Sequence, residues 1–140
     1  MKIEIPAIKK LVHELNFSVR WGDMDAMGHV NNAMYFRYLE IARVEWMYKV
    51  GCKPDPSGQG PVIVNAFCNF YLQLEYPDEL LLKMYVSDPG RTTFETWCTI
   101  ERVSEPGVLC AAGGGTTIWV DSLQKKATNL PDWMRELVTV

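Results

Sequence analysis

The chain has 140 residues, 48% of them apolar and 22% charged, the balance of one soluble folded domain able to bury a core. A formal net charge of -3, with Lys, Arg, Asp and Glu interspersed, leaves no broad basic field and argues against nucleic acid as a partner. The charge-broken start MKIEIPAIKKLVHEL is unlike a signal peptide, no apolar run approaches membrane-spanning length, and the scattered Cys52, Cys68, Cys98 and Cys110 read as reduced, buried thiols in a cytoplasmic setting.

The first expected element is LNFSVRW, residues 15–21, where Leu15, Phe17, Val19 and Trp21 alternate with polar neighbours at the period of a half-buried strand. GDMDAMGH breaks that pattern. From Asn31 onward the bulky groups Met34, Tyr35, Tyr38, Ala42 and Trp46 recur at helical spacing, with Asn31 or Asn32 as the cap and Gly51 as the stop. Glu40 and Glu45 read as an outer face paired with Arg37, Arg43 or Lys49. KPDPSGQGP, residues 53–61, has the composition of a loop.

Four stretches of strand character follow: VIVNAFCNFYLQLEY (62–76), DELLLKMYVSD (78–88), RTTFETWCTIERV (91–103) and VLCAAGGGTTIWVD (108–121). Their connections YPD, SDPG and SEPG are turns of hairpin type, so the strands form one antiparallel sheet. One long helix and one sheet bury their apolar faces together if the sheet curves around the helix, giving an α+β fold of about five strands in a single domain, residues 1–140. Apolar residues on both faces of several strands suggest self-association across the sheet or its edge. PDWMREL near the end is at most one or two helical turns, and AAGGGTT reads as close backbone packing or a bulge.

The candidate chemistry lies in GDMDAMGHVNN, residues 22–32. A sharp turn feeding a buried helix presents that helix's unpaired amides at one point, and Asp25 lies close enough to hang over the same spot. A carboxylate beside oxyanion-binding amides meets the needs of acyl transfer. The same residues also serve as simple caps and turn formers, and Asp23 reads as a turn residue only. His29 is either a general base or a hydrogen-bonded structural group. Two histidines form no metal ligand set, no serine stands in a nucleophile elbow, and no cofactor is implied.

RWGDMDAMGHVNNAMYFRYLEIARVEWM, followed by YPDELLLKMYV and a Gly-rich last strand, resembles the hotdog-fold acyl-CoA thioesterases of the 4-hydroxybenzoyl-CoA thioesterase type, above all in the D-x-x-G-H-V-N-N-x-x-Y pattern from Asp25 to Tyr35. The resemblance implies a helix inside a curled antiparallel sheet, a homo-oligomer (dimer or tetramer) and an active site at the subunit boundary. It implies that Asp25 is the catalytic nucleophile or general base, with His29 beside it, and that the Asn32 backbone amide binds the oxyanion. Asn31, Tyr35 and Arg91 are the implied substrate contacts, while Tyr38, Phe67, Trp97 and Met34 are further candidates for a pocket or for core. Where members of the family carry several basic residues before the RTTFET strand, only Arg91 stands here, so Lys125, Lys126 or a partner-subunit arginine would have to share the CoA grip. The implied substrate is an acyl-CoA. The rival readings are an acyl-carrier-protein thioesterase, a non-catalytic hotdog module that binds thioesters, and a hydratase or dehydratase of the same fold.

Overall fold

The computed structural model describes residues 3–140. β1 (Lys10–Ser18) leads through a single 3-10 turn at Trp21–Asp23 into α1 (Asn32–Lys49). Then come β2 (Gln59–Ile63), β3 (Phe67–Phe70), β4 (Glu79–Ser87), β5 (Thr93–Arg102), β6 (Leu109–Asp121), β7 (Lys126–Ala127) and α2 (Asp132–Val138). The strands make one antiparallel sheet in the order β1-β4-β5-β6-β2, with β3 and β7 also paired to β6. The helix-in-sheet arrangement implied by the resemblance is therefore the fold.

Alternation decides which face α1 covers. Leu80, Leu82, Met84 and Val86 of β4 are buried, and the register sets Leu82 beside Ile100 and Met84 beside Cys98 on the same face. Against them α1 turns Tyr35, Tyr38, Leu39, Ala42 and Trp46, all buried, with Trp46 meeting the Phe94 ring edge-on at 6.3 Å between centroids. Full burial of each of these large side chains contributes on the order of 1.5–3 kcal/mol. On the opposite face a short N-terminal stretch crosses the sheet: the Asn69 side chain donates to the Ile3 carbonyl at 2.6 Å, and the Lys9 ammonium lies 4.8 Å from the Tyr85 ring centre.

Three boundaries differ from the sequence expectation. β1 runs from Lys10 to Ser18 and not from residue 15 to 21: Leu11 and Glu14 lie on the outer side while His13, after a register shift, points to the helix, and exposed Trp21 falls in the 3-10 turn. The expected strand 62–76 is two strands, since the chain bends at Val64–Ala66 and leaves the regular ladder after Phe70, where the Tyr71 and Leu72 N–H groups both donate to the Cys110 carbonyl. Part of the expected loop 53–61 is strand β2, and Pro61 is tolerated there because β2 is an edge strand. The Gly-rich run explains the bend. A Cβ on Gly113 or Gly115 would collide with the carbonyl oxygens of Phe67 and Asn65 respectively, so these glycines let the β2–β3 crossing lie directly on β6. AAGGGTT is thus close packing.

All four cysteines are free thiols, but only Cys98 and Cys110 are buried; Cys52 and Cys68 are half-buried, a correction to the expectation of four buried thiols. Burial pushes the Cys98 thiol up to about 12. A folded value above the ordinary 9.0 means that the stabilising contribution is complete below that value and is lost as pH rises toward about 12. Folded protein titrated with an aromatic disulfide at pH 8 should therefore expose Cys52 and Cys68 first, and Cys98 only on unfolding.

Candidate active site

The residues before α1 form a miniature hairpin. Met24 bridges Val30, the Asp25 N–H donates to the His29 carbonyl at 2.7 Å, and the Asn31 N–H donates to the Asp23 carbonyl at 2.9 Å. The Gly28 N–H closes the turn on the Asp25 carbonyl at 3.1 Å, and Gly28 sits at φ 78°, a left-handed conformation that side chains disfavour. The hairpin is pinned at both sides: the Val30 N–H donates to the Leu74 carbonyl at 2.7 Å, and buried Asp23 accepts from the Tyr38 hydroxyl at 2.7 Å.

Asp23 is therefore a buried brace and not merely a turn residue, and no local signal in the sequence distinguishes it from Asp25. Burial, then the bond to Asp23, raises the Tyr38 hydroxyl well above its ordinary value. Tyr38→Phe removes the strongest donor to a buried carboxylate and should cost about 2 kcal/mol, read as a lower urea midpoint with unchanged slope.

Asp25 is exposed on this hairpin. Its Oδ1 accepts the backbone N–H groups of Met27 at 2.9 Å and His29 at 3.2 Å, which fixes the carboxylate; Oδ2 has no donor among the described residues. Within one chain Asp25 lines none of the five principal cavities. The helix start is capped as expected by Asn31, whose Oδ1 accepts the Ala33 N–H at 2.9 Å. The N–H of Asn32, the first residue of α1, donates to no described residue, so one amide of the first turn is available to an outside acceptor.

His29 is half-buried, and its Nε2 lies 3.5 Å from Oε1 of Glu75. The bond from Val30 to Leu74 brings Glu75 there, making it a second carboxylate at the hairpin that the sequence reading did not find. Tyr35 is 2% exposed, packs edge-on against Phe70 at 4.9 Å, and accepts the Leu74 N–H through its hydroxyl at 3.3 Å. In the single chain it is a core residue supporting the hairpin from below. Tyr38 is likewise core, half-buried Met34 packs against it, and Phe67 and Trp97 meet at 6.0 Å on the other face of the sheet.

Arg91 stands elsewhere. Ser18 pairs with Glu79 at the hairpin end of β4, whereas Lys10 pairs with Val86 at the end that leads to Arg91. The nine-residue β4 separates the two by about 30 Å. Exposed Arg91 donates to Asn129 at 2.7 Å, and Arg135 of α2 reaches the Gly90 carbonyl at 2.9 Å. Lys125 in the β6–β7 turn and Lys126 of β7 are at this same end, so the three basic residues expected to grip CoA gather there, whereas Arg102, at the hairpin end, is engaged by Asp78 and the Gln73 carbonyl. Glu40 pairs with Arg37 as expected, but Glu45 pairs with His13 across to β1 at 3.0 Å and not with a basic residue of its own helix. No group of three or more His, Cys, Asp or Glu side chains suited to a metal ion occurs among the described residues.

A model of the thioesterase-like superfamily matches residues 19–138. The chain belongs to the thioesterase-like superfamily. Its fold is that of PA2801 from Pseudomonas aeruginosa, a thioesterase by assignment only, with a TM-score of 0.86 and 30% identity over 91% of this chain and 98% of that one. XC229 from Xanthomonas campestris, assigned in the same way as an acyl-CoA thioesterase, is 35% identical with a TM-score of 0.71, over 81% of this chain and 96% of that one. The chloroplastic acyl-acyl carrier protein thioesterase ATL3 of Arabidopsis thaliana is 29% identical over 115 residues, 79% of this chain and 59% of its own length. The chain spans only 62% and 59% of the length of two of the curated relatives it matches. The resemblance thus holds at the level of the superfamily, whose members include relatives named for acyl-CoA and for acyl-carrier-protein substrates. No helix of the described residues is long and apolar enough to cross a membrane.

Proposed function

We propose that this thioesterase-like protein hydrolyses an acyl-CoA to the free acid and CoA. The observation that supports this reading is a carboxylate with an unclaimed oxygen, Asp25, on a braced hairpin that feeds directly into a helix whose first amide, Asn32, is unclaimed. In the reaction a water oxygen attacks the thioester carbonyl while its proton passes to Oδ2 of Asp25. The Asn32 N–H donates to the oxyanion that forms. Collapse of the tetrahedral intermediate breaks the C–S bond, and the departing sulfur takes the proton back to leave as thiol. If Asp25 instead attacks directly, a mixed anhydride forms and water then cleaves it. Direct attack releases the thiol as the C–S bond breaks, and hydroxylamine should then trap the acyl group from the anhydride on Asp25; label entering the Asp25 carboxylate in a single turnover in heavy-oxygen water also marks the nucleophile, by way of water attack on the aspartyl carbon.

His29, with Glu75 near its ring, and Asn31 flank this position, and Arg91 is proposed to receive the nucleotide of CoA bound to a neighbouring subunit, because a single chain keeps it at the far end of the sheet. A second chain is also what would turn the open face around Asp25 into a cleft. The support is the outer edge of β2 and β3, which is unpaired in the monomer and bordered by exposed Val62, Val64, Phe70 and Tyr71. Light scattering should give a mass of at least twice 16.0 kDa, and the pair Val64→Lys, Phe70→Lys should give a monomer without hydrolytic activity. An active monomer would remove the second chain from the site.

The reading in which the thiol is carried on an acyl-carrier protein uses the same chemistry. It is favoured by the sparse basic residues at the β4–β5 turn, where Arg91 alone follows Asp88, Pro89 and Gly90. Comparing kcat/KM for the same acyl group on CoA and on carrier protein decides between them.

A further inference from the structure

A cavity of about 460 Å³, open to solvent on one side, lies beside the C-terminal half of α1 and is bordered by the 52–56 loop and β2. Its walls are mainly apolar, with Val44, Met47, Pro56, Val62 and Ile63 among them. Two polar groups there have no partner. Thr117 is 1% exposed and its hydroxyl makes no hydrogen bond, although the register places it beside Phe94 on the face turned to α1. An unsatisfied buried hydroxyl is costly and calls for an occupant that can bond to it. Arg43 is half-buried, and among the described residues neither an acceptor nor a carboxylate holds its guanidinium, Glu40 being engaged by Arg37. Burial pushes Arg43 below its ordinary value, with Glu40 opposing that shift. Asp55, also in the wall, is occupied by Ser57.

The cavity and the hairpin lie along one helix, α1. Val44 and Tyr48, four apart and so neighbours on the helix surface, line the cavity together with Glu40. Val44 and Tyr48 are each 48% exposed and form a short apolar stripe at the cavity, with Glu40 separating them from exposed Phe36 nearer the helix start. Arg43 lies eleven residues beyond Asn32, about 16 Å along the axis.

We infer that the stripe and cavity hold the acyl chain of the thioester, and that Arg43 and Thr117 select a medium-length chain bearing a hydrogen-bond-accepting oxygen at its far end. Both side chains can donate, arginine can only donate, and an alkyl end would leave both unsatisfied among apolar walls. Discrimination built on buried polar groups is much steeper than discrimination by one methylene more or less. The inference rests on the thioester-hydrolase reading for its substrate, but its test does not require turnover.

Three ten-carbon acyl-CoAs differing only at the terminus, which is methyl, hydroxyl or carboxylate, are compared by calorimetric Kd on the Asp25→Asn protein and by kcat/KM on the wild type. At least a tenfold preference for an oxygen-bearing terminus is expected in both. Arg43→Met should erase most of that preference, Arg43→Lys should retain part of it, and Thr117→Val should reduce it without lowering Tm. Equal or better binding of the methyl-ended chain by the unsubstituted cavity, or a preference unchanged in both Arg43→Met and Thr117→Val, overturns the inference. Preference in Kd with no hydrolysis of any of the three would leave this pocket standing and remove the hydrolase reading instead.

Discussion

Asp25→Ala will lower kcat/KM for acyl-CoA hydrolysis at least about a hundredfold, the loss that accompanies removal of a positioned acid–base group. The informative companion is Asp25→Asn. An asparagine oxygen can still accept the Met27 and His29 amides that now bond to Oδ1, so the hairpin keeps its shape while the second oxygen is replaced by a donor. Asp25→Asn should therefore lose as much activity as Asp25→Ala but keep the wild-type Tm, whereas Asp25→Ala should lower Tm as well. A thiol-release assay and a melting curve on the two variants check this. If Asp25→Asn were as active as wild type, Asp25 would be a turn former and nothing more.

The largest effect on stability is expected at the Gly-rich strand. A Cβ on Gly114 would collide with the Thr96 carbonyl oxygen and lie 3.0 Å from the Trp97 ring, and neither backbone nor a packed indole gives way cheaply. Gly114→Ala should cost about 3 kcal/mol, at the upper end of overpacking penalties, and lower Tm by about 10 °C. The measurement is thermal unfolding beside a control, Gly60→Ala, where a Cβ meets nothing within 4 Å. Similar melting of the two variants would mean that the glycines are not needed for close approach.

Those glycines also mark where the sequence was readable and where it was not. The helix could be read from Met34 to Trp46 because its apolar spacing is regular, and its cap was named to within one residue because only Asn31 and Asn32 precede the run. β4, β5 and β6 were read almost to their ends from alternation and bounding turns. The break between β2 and β3 was invisible because Val62 to Leu74 alternates without interruption; the cause lies fifty residues later, in Gly113 and Gly115. Long-range bonds account for the other omissions. Glu75 reaches His29 only because Val30 and Leu74 pair, and Asp23 is buried only because Tyr38 folds back onto it. The acyl cavity was unreadable for a related reason, since the aromatic residues that suggested a pocket, Tyr35 and Tyr38, are core. Its walls come instead from a proline-rich loop, the outer half of α1 and one threonine of β6.

The proposed function and the inferred acyl site together would give one helix two tasks: its first turn would serve the reacting carbonyl and its last two turns the chain attached to it. Separating these tasks means that specificity can change at Arg43 or Thr117 without disturbing the Asp23–Tyr38 bond on which the catalytic turn depends.

The most direct test is thiol release by the wild-type chain. Incubated with acyl-CoAs of graded length in the presence of a thiol-reactive dye, it should liberate CoA over many turnovers and in proportion to enzyme concentration. Saturable binding of the same acyl-CoAs with no thiol set free would contradict the account and make this a thioester-binding module.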